Sequence, residues 1–214
     1  MIKVTKDLND IPETLVKGST LSKRNGVISS KKFPSSNSSS SEKEKKKVKD
    51  YESRYKQSDI KKSLKLIYNG KCAFCEQKII ECKDNNLEEC SSTVEHYRPK
   101  SKYYWLAYSW DNLLWCCYRC NQNKDNNFET VNSPVEYEKS FKDKIHVSTK
   151  SYQGVEEPKM IHPELESVIK KLSFNNGVIS SNDPRIEYTI ETCRLDRGDL
   201  NEKRQTLIDD FIAN

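Results

Sequence analysis

The sequence predicts an α+β protein built on a small core of two strands and one helix, with flanking helices and a C-terminal hairpin. Three observations carry that reading. Cys72-Ala-Phe-Cys75 and Cys117-Tyr-Arg-Cys120 form two CxxC knuckles with 41 residues between them. Between and just after the knuckles, short strand-forming runs give way to a polar helical stretch, Cys120-Asn-Gln-Asn-Lys124. On either side, apolar residues recur at helical spacing, while Asn176-Gly177 sits in a run that reads as a hairpin.

Composition frames these elements. Of the 214 residues, 34% are hydrophobic and 32% charged, too polar for one compact globule of this length. Some segment is therefore expected to stay solvated. The formal net charge of +5 suits a polyanionic partner without singling one out. Met1 to Leu15 lacks an apolar h-region, and no run approaches the roughly 18 apolar residues of a membrane span. A cytoplasmic, membrane-free protein is expected. There eight cysteines are poor candidates for disulfides, and metal is the first alternative.

In chain order, residues 1–17 form an N-terminal segment. Residues 18–41 read as a disordered Ser/Lys-rich insert, where Lys31, Lys32 and Pro34 precede a serine run ending at Ser41. Residues 42–70 read as one basic amphipathic helix with a narrow stripe of Tyr51, Tyr55, Ile60, Leu64 and Ile67, stopped by Asn69-Gly70. Lys43, Lys45, Lys46, Lys47 and Lys49 crowd its start; they read first as a solvated face and second as a phosphate-contacting patch. Residues 71–130 hold the core. Residues 131–214 supply the hairpin at Leu172–Ile179 and helices at Pro184–Leu195 and Asp199–Ile212, a candidate docking region for a partner. Pro184 suits a first helical turn, and Asp199 and Glu202 have capping-box spacing.

Each knuckle lets two thiolates reach one ion, so Cys72, Cys75, Cys117 and Cys120 together supply the four sulfurs of a tetrahedral structural zinc site. Such a site has no open position and serves the fold. Cys116 competes for the register, and the two-residue spacing to Cys120 favours Cys117. Cys193 reads as a buried thiol, while Cys82 and Cys90 flank an acidic, Asn-rich loop without further ligands nearby.

Between the knuckles, Thr93, Val94 and Tyr97 form strand and Pro99 ends it, which places Glu95 and His96 at a strand end. Trp110-Asp-Asn-Leu-Leu-Trp-Cys116 is a second apolar strand, and Asn121 and Lys124 lie near a common face of the following helix. With its Glu-His, Asp-Asn-Leu and Cys-x-x-Cys-Asn-x-x-Lys elements, the chain resembles an HNH endonuclease of the ββα-metal type, with His96, Asn112 and Asn121 at the signature positions. Lys71-Cys-Ala-Phe-Cys-Glu76, Glu95-His-Tyr-Arg-Pro-Lys-Ser101, Trp110-Asp-Asn-Leu113 and a looser tail through Leu195-Asp-Arg197 are similar to the HNH subunits of Septu- and retron-type anti-phage defence systems. The nuclease motifs cover about a quarter of the chain, and the serine-lysine insert lies outside the likeness. Glu95 stands where Asp is frequent and Asn121 where His is frequent.

The resemblance implies hydrolysis of DNA phosphodiester bonds, together with an ATPase partner. An imidazole of near-neutral pKa suits His96 as general base, and a Mg²⁺ or Mn²⁺ ion held by the oxygens of Glu95 and Asn121 suits the phosphate. Asn112 is expected to organise the loop between the strands. Arg98, Lys100 and Lys124 are the expected phosphate contacts. Adjacent strand residues face opposite ways, so a bend or bulge is required at Glu95-His96. Trp105, Trp110 and Trp115 read as packing before base stacking, and His146 and His162 receive no role. The rival reading is a catalytically silent zinc module that binds nucleic acid or protein. A thiol redox protein would sit on a thioredoxin-like pattern, which the sequence lacks.

Overall fold

The computed structural model describes residues 1–80, 91–140 and 145–213. Cys82 and Cys90 lie outside them. The fold is mixed, with eight helices and two small antiparallel sheets among the described residues.

At its centre, β1 (Ser92–His96) pairs with β2 (Leu113–Cys117), and α5 (Tyr118–Lys124) follows directly. Strand, strand and helix thus succeed one another as the sequence predicts, except that Trp110–Asn112, expected to open the second strand, form a 3-10 turn before it. The register runs unbroken from Ser92↔Cys117 to His96↔Leu113, so the expected bulge at Glu95-His96 is absent. The two strands bury Val94, Leu113, Leu114, Trp115 and Cys116. All three tryptophans are at most 3% exposed, so packing is their role.

The N-terminal third departs from expectation. Residues 18–41 are not a disordered insert: α2 spans Gly18–Ser30, after the single turn α1 (Glu13–Val16). Its buried stripe is Thr20, Arg24 and Val27, two of them polar, which is why apolar periodicity does not reveal it. Beyond α2, Phe33 is buried and meets Tyr51, Tyr55 and Tyr108 at centroid distances of 6.1, 6.3 and 6.2 Å.

Nor do residues 42–70 form one helix. α3 (Glu42–Ser53) starts at a capping box, in which Ser41 and Glu44 satisfy each other's backbone N–H groups. α4 (Ser58–Ile67) follows a turn that carries Tyr55 into the core. The five-residue step from Tyr55 to Ile60 explains the break, because a continuous helix repeats its face every three or four residues. α4 buries Ile60 and Leu64 and packs on β2.

The remaining elements close around this core. α6 (Thr149–Glu156) precedes the second hairpin, β3 (Ser173–Asn175) with β4 (Val178–Ser180). Asn176 and Gly177 take φ of 49° and 73°, the paired positive values of a type I′ turn. α7 (Pro184–Cys193) is capped by Asp183 and carries Pro184 in its first turn. In α8 (Gly198–Ala213) Asp199 lies within the first turn, beside Arg119 and Arg197, and is not an N-cap. Residues 71–130 are not walled off from the rest. Lys6 Nζ donates to the Trp110 and Leu113 carbonyls at 3.1 and 2.5 Å and pairs with Glu164, while α5 packs on α7.

Candidate functional site

Two clusters of side chains lie on the β1–β2–α5 unit. The first is sulfur. The first knuckle is a tight turn in which Glu76 N donates to the Cys72 carbonyl at 3.0 Å and Ala73 N to the Trp115 carbonyl of β2 at 2.8 Å. This second bond carries Cys72 and Cys75 to the end of β2, where Cys117 closes the strand and Cys120 sits in α5. The four Sγ atoms lie within 4.8 Å of one another, and Cys75 and Cys117 are 3.8 Å apart. A tetrahedral ion with metal–sulfur bonds of about 2.3 Å needs sulfurs roughly 3.8 Å apart, so the cluster fits such an ion. Cys116 is 3.7 Å from Cys72 but outside the group of four. Arg197 Nη1 reaches Cys120 Sγ at 3.5 Å, a cation beside the thiolate set. Cys193 is buried in α7.

The second cluster faces a cleft of about 490 Å³, whose lining includes Glu95, His96, Lys100 and Asn121. His96 ends β1. Its Nε2 is 2.9 Å from the Ala107 carbonyl, and the Tyr55 ring stands edge-on at 4.6 Å. A carbonyl can only accept, so Nε2 carries the proton and Nδ1 keeps the lone pair. Burial, and after it the charge of Lys100, holds the imidazole pKa well below its ordinary value, so the near-neutral pKa expected of His96 gives way to a ring kept neutral.

Glu95, one residue earlier, leaves the strand the other way and meets α5. Lys124 Nζ pairs with its Oε1 at 2.7 Å and donates to the His96 carbonyl at 2.9 Å. Burial raises the Glu95 carboxyl pKa, and Lys124 opposes the rise. With no bulge, the cleft reaches both residues because it wraps the strand end. Asn121 lies on α5, one residue past Cys120, so the sulfur cluster also sets its position.

Asn112 lines no part of this cleft. Its Oδ1 accepts from Arg98 N at 2.8 Å, and its Nδ2 donates to the Arg98 and Leu106 carbonyls at 3.0 and 3.3 Å. Neighbouring Asp111 accepts from Ser109 Oγ at 2.5 Å and Thr149 N at 2.6 Å. Together they hold the loop that delivers the Ala107 carbonyl to His96.

Two expected phosphate contacts need correction. Arg98 is 0% exposed: Nε pairs with Glu156 at 2.7 Å, Nη2 donates to Gln153 at 3.0 Å, and aromatic rings surround the guanidinium. Lys124 is equally buried against Glu95. Neither can leave its partner for a phosphate without stranding a buried carboxylate. Lys100 does sit at the cleft, 3.7 Å from Glu52. Sequence reasoning missed Tyr55, Glu52 and Lys56, which reach the cleft from α3 and the turn after it; only tertiary packing brings them there.

No protein-family model matches the chain. It is 30% identical over 173 residues to Septu protein PtuB of Bacillus mycoides (strain KBAB4), covering 73% of this chain and 53% of that protein. It is 26% identical over 167 residues to Septu protein PtuA of the same strain, covering 71% of this chain and 21% of that protein. Over 79 residues it is 37% identical to Septu protein PtuB of Bacillus thuringiensis, covering 36% of this chain and 28% of that protein. The chain thus spans about half the length, or less, of these relatives. Among the described residues no helix is long and apolar enough to cross a membrane. The chain is similar to components of the Septu system over most of its own length.

Proposed function

We propose that this chain is a metal-dependent HNH endonuclease that hydrolyses DNA, working as the effector of a Septu-type anti-phage defence system beside an ATPase partner. The observation that carries the reading is the convergence of Glu95, His96 and Asn121 on one cleft, on a strand–strand–helix unit stapled by four cysteines. A silent zinc module would have no need of that convergence.

In this reading Cys72, Cys75, Cys117 and Cys120 hold a structural zinc. The carboxylate of Glu95 and the amide oxygen of Asn121 are hard donors suited to Mg²⁺ or Mn²⁺. Lys124 pairs with Glu95 through Oε1. When bound, that ion supplies charge compensation for the phosphate and the departing oxygen. His96 does the proton work. Its Nδ1 lone pair accepts a proton from water as the water oxygen attacks phosphorus. The phosphorus–O3′ bond then breaks and the departing oxygen takes a proton from a solvent water, leaving 5′-phosphate and 3′-hydroxyl ends. The Ala107 carbonyl keeps the ring in the required tautomer, and Asn112 keeps that carbonyl in place through the loop. Lys100 attracts the scissile phosphate.

Supercoiled plasmid, incubated with zinc-loaded protein and Mg²⁺ or Mn²⁺, tests this. The wild type is expected to nick it, and His96→Ala to be slower by about 10²–10⁴ with its zinc content unchanged. Equal nicking by both proteins overturns the assignment of His96. No nicking by the wild type, alone or with the ATPase partner, overturns the nuclease reading.

A further inference from the structure

The cleft does not end at Lys100. Glu52, Lys100 and Asn126 also line a second hollow of about 550 Å³, so the two adjoin. The walls of this hollow come from segments outside the strand–strand–helix unit: Lys45, Val48 and Lys49 of α3, and the Phe33–Ser36 stretch after α2. Lys45 and Lys49 stand one helical turn apart, about 6 Å along the axis, on one face. Lys45 pairs with an exposed Glu42 at 3.2 Å, a contact that costs little to give up. Hydroxyls of Ser35, Ser36 and Ser101 and the Asn126 amide add neutral hydrogen-bonding groups. Three lysines face a single glutamate here, Glu52, which already lies beside Lys56 and Lys100.

We propose that this second hollow is a binding track for the sugar-phosphate backbone of a DNA strand, with Lys45 and Lys49 contacting phosphates flanking the one at His96. The inference rests on the reading of the first cleft as the site of DNA cleavage. A strand whose phosphate sits by His96 has to leave that cleft, and over Lys100 the way out runs between α3 and the Phe33–Ser36 stretch. Lysines with serine and asparagine side chains are the groups that hold phosphate and sugar oxygens without reading sequence. A basic helix that the sequence presents as a solvated face thereby acquires a partner, and so does the segment joining it to α2.

The test is fluorescence anisotropy with labelled duplex and single-stranded DNA, in the non-cleaving His96→Ala background without added Mg²⁺ or Mn²⁺. Lys45→Glu/Lys49→Glu is compared with Lys170→Glu/Lys203→Glu, which carries the same charge change elsewhere. The groove pair is expected to weaken binding at least tenfold at low salt. Its log–log salt dependence is expected to flatten by about two counterions, while Lys45→Arg/Lys49→Arg keeps wild-type affinity. Equal losses in the groove and control variants overturn the track, as does an absence of DNA binding by the parent. Plasmid nicking by otherwise wild-type protein is scored separately. Nicking with an unaffected groove variant sinks the track alone. No nicking, alone or with the ATPase partner, together with a selective binding loss supports the track and sinks the nuclease reading.

Discussion

The two ends of the β1–β2 hairpin are assembled by different kinds of information. At the Ser92–Cys117 end, two knuckles with 41 residues between them bring four sulfurs together, each set by its two-residue spacing and the first tied to β2 through Ala73 N and the Trp115 carbonyl. At the His96–Leu113 end, the imidazole is oriented by a carbonyl eleven residues away and by the Tyr55 ring from the turn between α3 and α4. The adjoining carboxylate is held by a lysine from α5. The first end is set by two local spacings and one backbone tie. The second exists only after distant segments have packed. The two meet at α5, where Cys120 and Asn121 are consecutive, so the helix that carries the sulfur cluster also carries Asn121 to the cleft.

Breaking the sulfur end should have the largest effect. Cys75→Ser/Cys120→Ser is expected to lose bound metal and cooperative folding together, since structural zinc can contribute on the order of 10 kcal/mol to the folded state. Cys116→Ser is expected to keep a full complement of metal, because Cys116 lies outside the group of four. Metal content and thermal melting check both. A Cys116 variant that lost its metal would reassign the register of the second knuckle.

The His96 end should be sensitive to buried ion pairs that the sulfur end does not need. Arg98→Met strands Glu156 without its guanidinium and should cost about 3–5 kcal/mol by denaturant unfolding. Metal binding in the surviving folded fraction should be unchanged. The double variant Arg98→Met/Glu156→Leu should recover most of the loss. No recovery would mean that the aromatic rings around Arg98, rather than the charge pair, set its worth.

The smallest effect is a pH dependence at the loop side of the hairpin. His146 accepts a hydrogen bond from Trp110 N at 3.1 Å. Burial, and then the charge of Arg24, lowers its pKa from 6.5 to about 4. The unfolded chain therefore takes up this proton more readily than the folded one. The associated stability is present above pH 6.5 and is lost as pH falls from there towards 4. Between pH 7 and 5 the loss should be about 2 kcal/mol. His96 and His162, also held below their ordinary pKa by burial, add losses of the same sign, so His146→Gln should make the fall in Tm over that interval shallower without abolishing it; an unchanged slope would rule His146 out as a contributor.

The fold was legible where local chemistry decides it. The strand–strand–helix succession, the Asn176-Gly177 turn and the Pro184 helix start all follow from residue types at short range. Three features were not. α2 buries Thr20 and Arg24, so its stripe is invisible to apolar periodicity. The break after Tyr55 shows only as a five-residue step within an otherwise helical pattern. Arg98 and Lys124 look like surface cations, and only their burial against Glu156 and Glu95 reveals them as structural. A basic residue's type does not say whether its charge faces water or a buried carboxylate.

By itself, the sequence determined which side chains could meet over short loops. The four cysteines, the neighbouring pair Glu95 and His96, and Asn121 directly after Cys120 are matters of spacing. Tertiary structure alone decided what surrounds them: which nitrogen of His96 holds the proton, which lysines face the cleft, and that α3 and the stretch after α2 wall the hollow adjoining it. The physical reason is range. Spacing and strand register act over a few residues, whereas burial, hydrogen-bond partnership and charge pairing are settled only when segments dozens of residues apart pack against one another.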